Sequence, residues 1–206
     1  MRSMTQKICF ALTPGLLLAG AAFALEGQQV RLKLEEMLDR DEALLAQISE
    51  ASRVYGANSG EVVDWQQRKA AIDQTNIVSL EEIVAASGWP VAAIVGEAAA
   101  AGAARAVMNA DVSHQKRLLP VLLEQAQLFE LDSSIVAVIE DRVLVSEGRP
   151  QKYGSQFQQS EESGARSYHP IADCQSVDLR RASVGLEPLA RDAQRNSVEK
   201  YNCPEG

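Results

Sequence analysis

A set of carboxyl, amide and phenol side chains interrupts sequence that is otherwise alanine- and leucine-rich: Asp73, Asn76, Asn109, Asp111, Gln115, Asp141, Tyr153 and Gln156. Carboxylates embedded in apolar helices can act as proton acceptors or donors. Amides and a phenol offer donor and acceptor pairs to a neutral polar ligand. Asp73 and Asn76 are three residues apart and so share a helix face; Asn76 also suits an N-cap for the helix beginning "IVSLEE". Asp111 follows the Ala-rich segment, where its charge opposes the dipole of the helix it closes. It or Ser113 could cap the helix that comes next. Asp141-Arg142 breaks an apolar run as either an internal ion pair or a solvated face. Tyr153 and Gln156 stand in "YGSQ", with Gly154 allowing close backbone approach.

The elements that must carry these residues are mostly helical. Residues 26–57 form an amphipathic helix with Leu34, Met37, Leu38, Leu44, Leu45 and Ile48 on one face. Glu35, Glu36, Asp39, Arg40 and Asp41 are expected on the other, and "YGANSG" stops the helix. A second helix is expected from about Asn76 to Ser87, closed by Gly88 and Pro90. "VGEAAAAGAARAVMNAD", 95–111, has side chains small enough for close backbone approach and is expected at the bundle centre. Helices follow over 113–130, which contains Pro120, and over 133–148, where "RVLV" could turn extended. The expected fold is a mainly α, single-domain helical bundle with a short β-hairpin or structured turn near residues 143–157. A Gln/Ser/Glu-rich solvated loop then spans 158–168. Two short helices close the chain, with Gly185 ending one and Pro188 starting the other.

The N-terminus reads as a leader. "MRSMTQK" carries Arg2 and Lys7 before the uncharged "ICFALTPGLLLAGAAFA", which ends in the small-x-small pattern Ala22-Phe23-Ala24. The organisation expected is therefore a signal peptide over 1–24, an N-terminal amphipathic helix over 25–60 and a helical domain of unknown function over 61–206. No later stretch could span a membrane, so a periplasmic or secreted protein free of the membrane after cleavage is expected. With 20 Lys and Arg against 28 Asp and Glu, the chain is a poor match for a phosphate backbone, and nucleic acid is disfavoured as a partner. Cys174 and Cys203 remain after the leader and, in an oxidising compartment, read first as a disulfide. No CxxC or Cys/His cluster accompanies either, and GxSxG, GxGxxG, P-loop, HExxH and calcium-loop motifs are absent. No cofactor or metal is expected.

Trp65, Asp73, Asn76, Gly88-Trp89-Pro90, Gly96, Ala110-Asp111, Gln115, Asp141-Arg142, Gly148, Gln151, Tyr153-Gly154-Ser155-Gln156 and Asp178-x-Arg180-Arg181 together resemble a family of bacterial domains of unknown function. Its pattern is GWP…VG…HAD…DR…YGTQ, and the likeness covers roughly 62–192. The resemblance implies an architecture and a residue list without a reaction. Asn109 stands where the pattern has His, and Ser155 where it has Thr. An amide cannot take a proton near neutral pH but can hydrogen-bond a ligand, which weighs against catalysis more than against binding. The reading that follows is an exported domain whose polar cleft binds a small polar ligand. The alternative is a small periplasmic hydrolase using Asp73, Asp111 or Asp141 as acid or base. The cleft is expected where Tyr153 and Gln156 face Asn109, Asp111 and Gln115. An envelope protein could instead be the partner, through the acidic first helix.

Overall fold

A computed structural model describes the backbone of residues 14–200 and the side chains of residues 27–198. The leader's charged start and Cys203 lie outside the described residues. The described chain is mainly α. Helix α1 spans Pro14–Tyr55, α2 Gly60–Ser87, α3 Ala92–Val95, α4 Glu97–Asn109, α5 Val112–Gln127 and α6 Ser133–Ser146. Strands β1 (Phe157–Gln159) and β2 (Arg166–Tyr168) form an antiparallel pair, and β3 (Val198–Lys200) adds parallel to β2. Between β2 and β3 lie α7 (Val177–Ser183) and α8 (Leu189–Arg195). No helix of the described residues is long and apolar enough to cross a membrane.

The bundle core gathers Leu34 and Met37 of α1, Ile77, Leu80 and Ile83 of α2, Ala99, Ala103, Ala106 and Val107 of α4, and Leu118 and Leu122 of α5. As the small side chains imply, α4 lies at the centre. A Cβ on Gly102 would stand 2.3 Å from the Leu34 carbonyl oxygen, so glycine is what lets α1 and α4 touch backbone to backbone. A second, smaller core of Tyr168, Ile171, Val177, Leu189, Ala193 and Val198 sits under the C-terminal strands and helices.

Three expectations about elements change. α2 runs unbroken from Gly60, where Ser59 caps the Val62 N–H at 3.3 Å, so Asn76 is a buried interior residue and no N-cap. A polar residue before an apolar run imitates a helix start, but the alternation of Val62, Ile77 and Leu80 with solvated residues continues across it. The "RVLV" tail stays helical, because Val143 and Leu144 are buried on the same side as Ile139. The structured turn occupies 147–156, and the antiparallel strands come after it. The segment read as a solvated loop from Gln158 to Tyr168 is thus a hairpin. Its exposed outer face explains the polar composition, and its inner face is anchored by the buried Tyr168.

Candidate functional site

The turn after α6 is built around one carboxylate. Asp141 is fully buried, and its Oδ1 accepts the backbone N–H groups of Lys152 at 2.7 Å and Tyr153 at 3.0 Å. Its Oδ2 accepts the Ser155 N–H at 3.0 Å and the Ser155 hydroxyl at 2.9 Å. Burial pushes the Asp141 carboxyl above its ordinary range, while these donors pull the other way. Gln151, also fully buried, donates through Nε2 to the carbonyls of Gln156 and His169, each at 2.9 Å, and its Oε1 accepts the Gln156 N–H at 2.8 Å. From α7, Arg181 donates to the carbonyls of Tyr153 at 2.7 Å and Gly154 at 3.1 Å. Gly154 has φ +68°, and a Cβ there would crowd Ile171 and Leu189. "YGSQ" is therefore a main chain locked from both sides, and Asp141, Gln151 and Arg181 are spent on locking it.

Asp141 and Arg142 do not pair with each other. Arg142 reaches instead to the Met108 carbonyl at 3.2 Å, joining α6 to the end of α4. Gln156 turns inward too, its Nε2 donating to the Val138 carbonyl at 3.3 Å.

What the locked turn presents outward is Tyr153. Its half-buried ring lines a cleft of about 280 Å³ between the end of α5, the start of α6 and Val184. Leu123, Ala126, Val136 and Ala137 make the apolar part, and Glu140 and Phe129 lie at its edges. Glu140 is buried and pairs with the Lys152 ammonium at 2.5 Å. The Tyr153 hydroxyl has no hydrogen-bond partner among the described residues. Burial raises its pKa, and the nearby Glu140 charge adds to that. The phenol remains a neutral donor facing a carboxylate and an apolar wall.

The other expected site residues assemble elsewhere. Asn109 Nδ2 donates to Asp41 Oδ1 at 2.9 Å and to Asp73 Oδ1 at 3.2 Å. Lys69 bridges the same carboxylates, at 2.7 Å from Asp41 and 2.8 Å from Asp73, and Arg105 reaches Asp41 Oδ2 at 3.2 Å. Burial pulls the Lys69 pKa down, but the two carboxylates outweigh it and hold the ammonium above its usual range. Gln115 is fully buried, donating to the Val107 carbonyl at 2.9 Å. Asp111 occupies the N-cap position of α5 but makes no side-chain cap bond, and it is exposed. No hydrogen bond among the described residues joins Tyr153 or Gln156 to Asn109, Asp111 or Gln115.

Several participants lie outside the residues expected at the site. Asp41, read as part of the solvated face, is 2% exposed. It falls in the stripe Leu34, Met37, Leu38, Asp41, Leu44, Leu45 at three- and four-residue steps, and that spacing was the available signal. Glu140, Lys152, Phe129 and Lys69 give no comparable sign.

A model described as a family of unknown function, DUF6624, matches residues 28–199. The match includes α1 from residue 28 onward, which the motif resemblance left outside. No curated protein and no solved structure matches the chain.

Proposed function

Because the chain belongs to the DUF6624 family of unknown function, we propose its role from its own residues: it binds a small polar-ended ligand in the cleft under Tyr153, outside the cytoplasm. The observation that carries this is a phenol without a hydrogen-bond partner among the described residues, offered over an apolar cleft by a backbone held on both sides. A main chain fixed in advance loses little conformational freedom on binding, which is how a small site gains affinity. Binding without hydrolysis fits the carboxylates better. The Asp141 oxygens are filled by turn donors, Asp73 is held by Lys69, and Asp111 is exposed and outside the cleft lining.

A fragment library screened by ligand-observed NMR against the full chain tests the reading. Fragments are expected to bind the wild type and to lose at least about fivefold in affinity on Tyr153→Phe, one hydrogen bond's worth. Thermal unfolding is expected to stay within about 1 °C, since the hydroxyl has no bond to lose. Failure of Tyr153→Phe to fold, or fragment binding indifferent to it, would make the tyrosine scaffold.

Export and the Cys174–Cys203 bridge belong to the same reading. They rest on the uncharged leader ending in Ala22-Phe23-Ala24 and on the two thiols left after it. Cys174 begins a 3-10 turn, Cys174–Ser176, packed against the smaller core. Non-reducing peptide mapping of protein from the cell envelope is expected to find Leu25 as the first residue and the two cysteines joined. Material retaining residues 1–24, or alkylatable thiols at both positions, would count against the proposal.

A further inference from the structure

Phe129 lies at the turn between α5 and α6 with φ +60°, a region that a bulky side chain rarely adopts. Its N–H bonds to the Ala126 carbonyl at 3.2 Å, and the next N–H, of Glu130, reaches back to Gln125 at 3.0 Å. This is the Schellman closure in which glycine normally holds the left-handed position. The ring is 93% exposed, so it gains almost nothing from its own chain. An aromatic side chain held in a costly conformation, with no internal packing, at the lip of a cleft is a contact surface for something outside the chain.

Glu140 is the charged residue of the same cleft, beside the neutral polar Gln127 and Ser133, and it also lines the neighbouring cleft where Lys152 lies. Its side chain is 9% exposed, whereas that of its partner Lys152 is 48% exposed. Lys152 can swing into water at small cost, but Glu140 cannot follow, and a buried carboxylate left without a cation is strongly disfavoured. The group that can take the place of Lys152 is therefore another ammonium. An anionic ligand would meet the same carboxylate with no cation gained. The rings of Phe129 and Tyr153 also present faces that attract a cation. A cleft of about 280 Å³ is large enough for one ring with a short amine tether.

We propose that the ligand is a primary amine with an aromatic or aliphatic body, its ammonium held by Glu140 in place of Lys152 and its body packed against Phe129. This rests on the binding reading above. The amine belongs either to a free small molecule or to a peptide N-terminus, and both offer the same chemistry.

Titration of the full chain by NMR with 2-phenylethylamine, with phenylalanyl-glycine amide and with 3-phenylpropanoate tests it. At least one amine is expected to bind saturably and the carboxylate not to bind; the tighter amine identifies the source. Glu140→Gln is expected to weaken amine binding at least about tenfold. Lys152→Met is expected to tighten it several-fold by removing the internal competitor. Phe129→Gly is expected to weaken it about tenfold while leaving the unfolding temperature equal or higher, because glycine relieves the strained turn. Neither amine binding, 3-phenylpropanoate binding as tightly, Lys152→Met weakening the amine, or Phe129→Gly leaving affinity intact would each overturn the assignment. If fragments of other charge still bind in a Tyr153-dependent manner, only the amine assignment falls and the cleft reading stands. If Glu140→Gln fails to fold, the Lys152 and Phe129 variants decide alone.

Discussion

Asp141→Ala is expected to cost about 3–5 kcal/mol of folding stability, a large fraction of what a domain of this size holds. The substitution leaves the N–H groups of Lys152, Tyr153 and Ser155 without their acceptor, and a buried unsatisfied donor costs about 1–3 kcal/mol. Removing a buried carboxylate recovers part of that, which keeps the total below the simple sum. Asp141→Asn should fall between, since its amide keeps one acceptor oxygen but turns a second donor toward the loop's own donors. Urea unfolding followed by circular dichroism measures both. A loss under about 1 kcal/mol for the alanine variant would mean that Gln151 and Arg181 suffice to hold the turn. The comparison with Tyr153→Phe is the informative one. Asp141 of α6 holds the turn that carries Tyr153, yet one should control stability and the other ligand affinity.

The second large effect is expected at Arg181. It is 1% exposed, and its guanidinium spans the Tyr153 and Gly154 carbonyls on one side and the Glu187 carbonyl, at 2.6 Å, on the other. It also lies 3.4 Å from Asp192. Arg181→Met keeps the bulk but leaves those carbonyls and the Asp192 charge without it, for a loss of about 3–5 kcal/mol. That corresponds to a fall of roughly 6–20 °C in unfolding temperature. Arg181→Lys is expected to rescue less than half of the loss, because a point ammonium cannot bridge acceptors that a planar fork reaches together. A lysine variant as stable as the wild type would refute the fork argument. Differential scanning calorimetry on the three proteins separates the outcomes. Full retention of stability in the methionine variant would show that α7 docks through Val177 and the apolar contacts alone.

Where local physics acts, sequence and structure agree. The stripe of Ala99, Gly102, Ala103 and Ala106 announces a helix made for close approach, and α4 meets α1 at Gly102. Gly185 and Pro188 mark the break between α7 and α8, and the turn at Gly148 ends α6 within two residues of the expected place. Agreement weakens where a residue's fate depends on what packs against it. Asn76 resembles a cap in sequence, but the burial of Val62, Ile77 and Leu80 along one face carries α2 straight through it. Gln158 to Tyr168 is polar enough for a free loop, yet Tyr168 inserts into the second core and makes it a hairpin.

The amino-acid sequence by itself determined a mainly helical chain, its small-residue centre and the positions of its breaks, and it displayed Asp141, Asn109, Gln115 and "YGSQ" as polar groups among apolar neighbours. Spacing and side-chain size act over a few residues, and a single chain displays them directly. Tertiary structure alone decided which of those polar groups meet. It sent Asn109 to Asp41 and Asp73, turned Asp141 inward onto the backbone of the turn, and left Tyr153 over a cleft with Glu140 and Phe129. Those meetings join residues up to 68 positions apart in sequence. They are set by which buried charge finds a partner when the helices pack, a choice that no local window of the sequence contains.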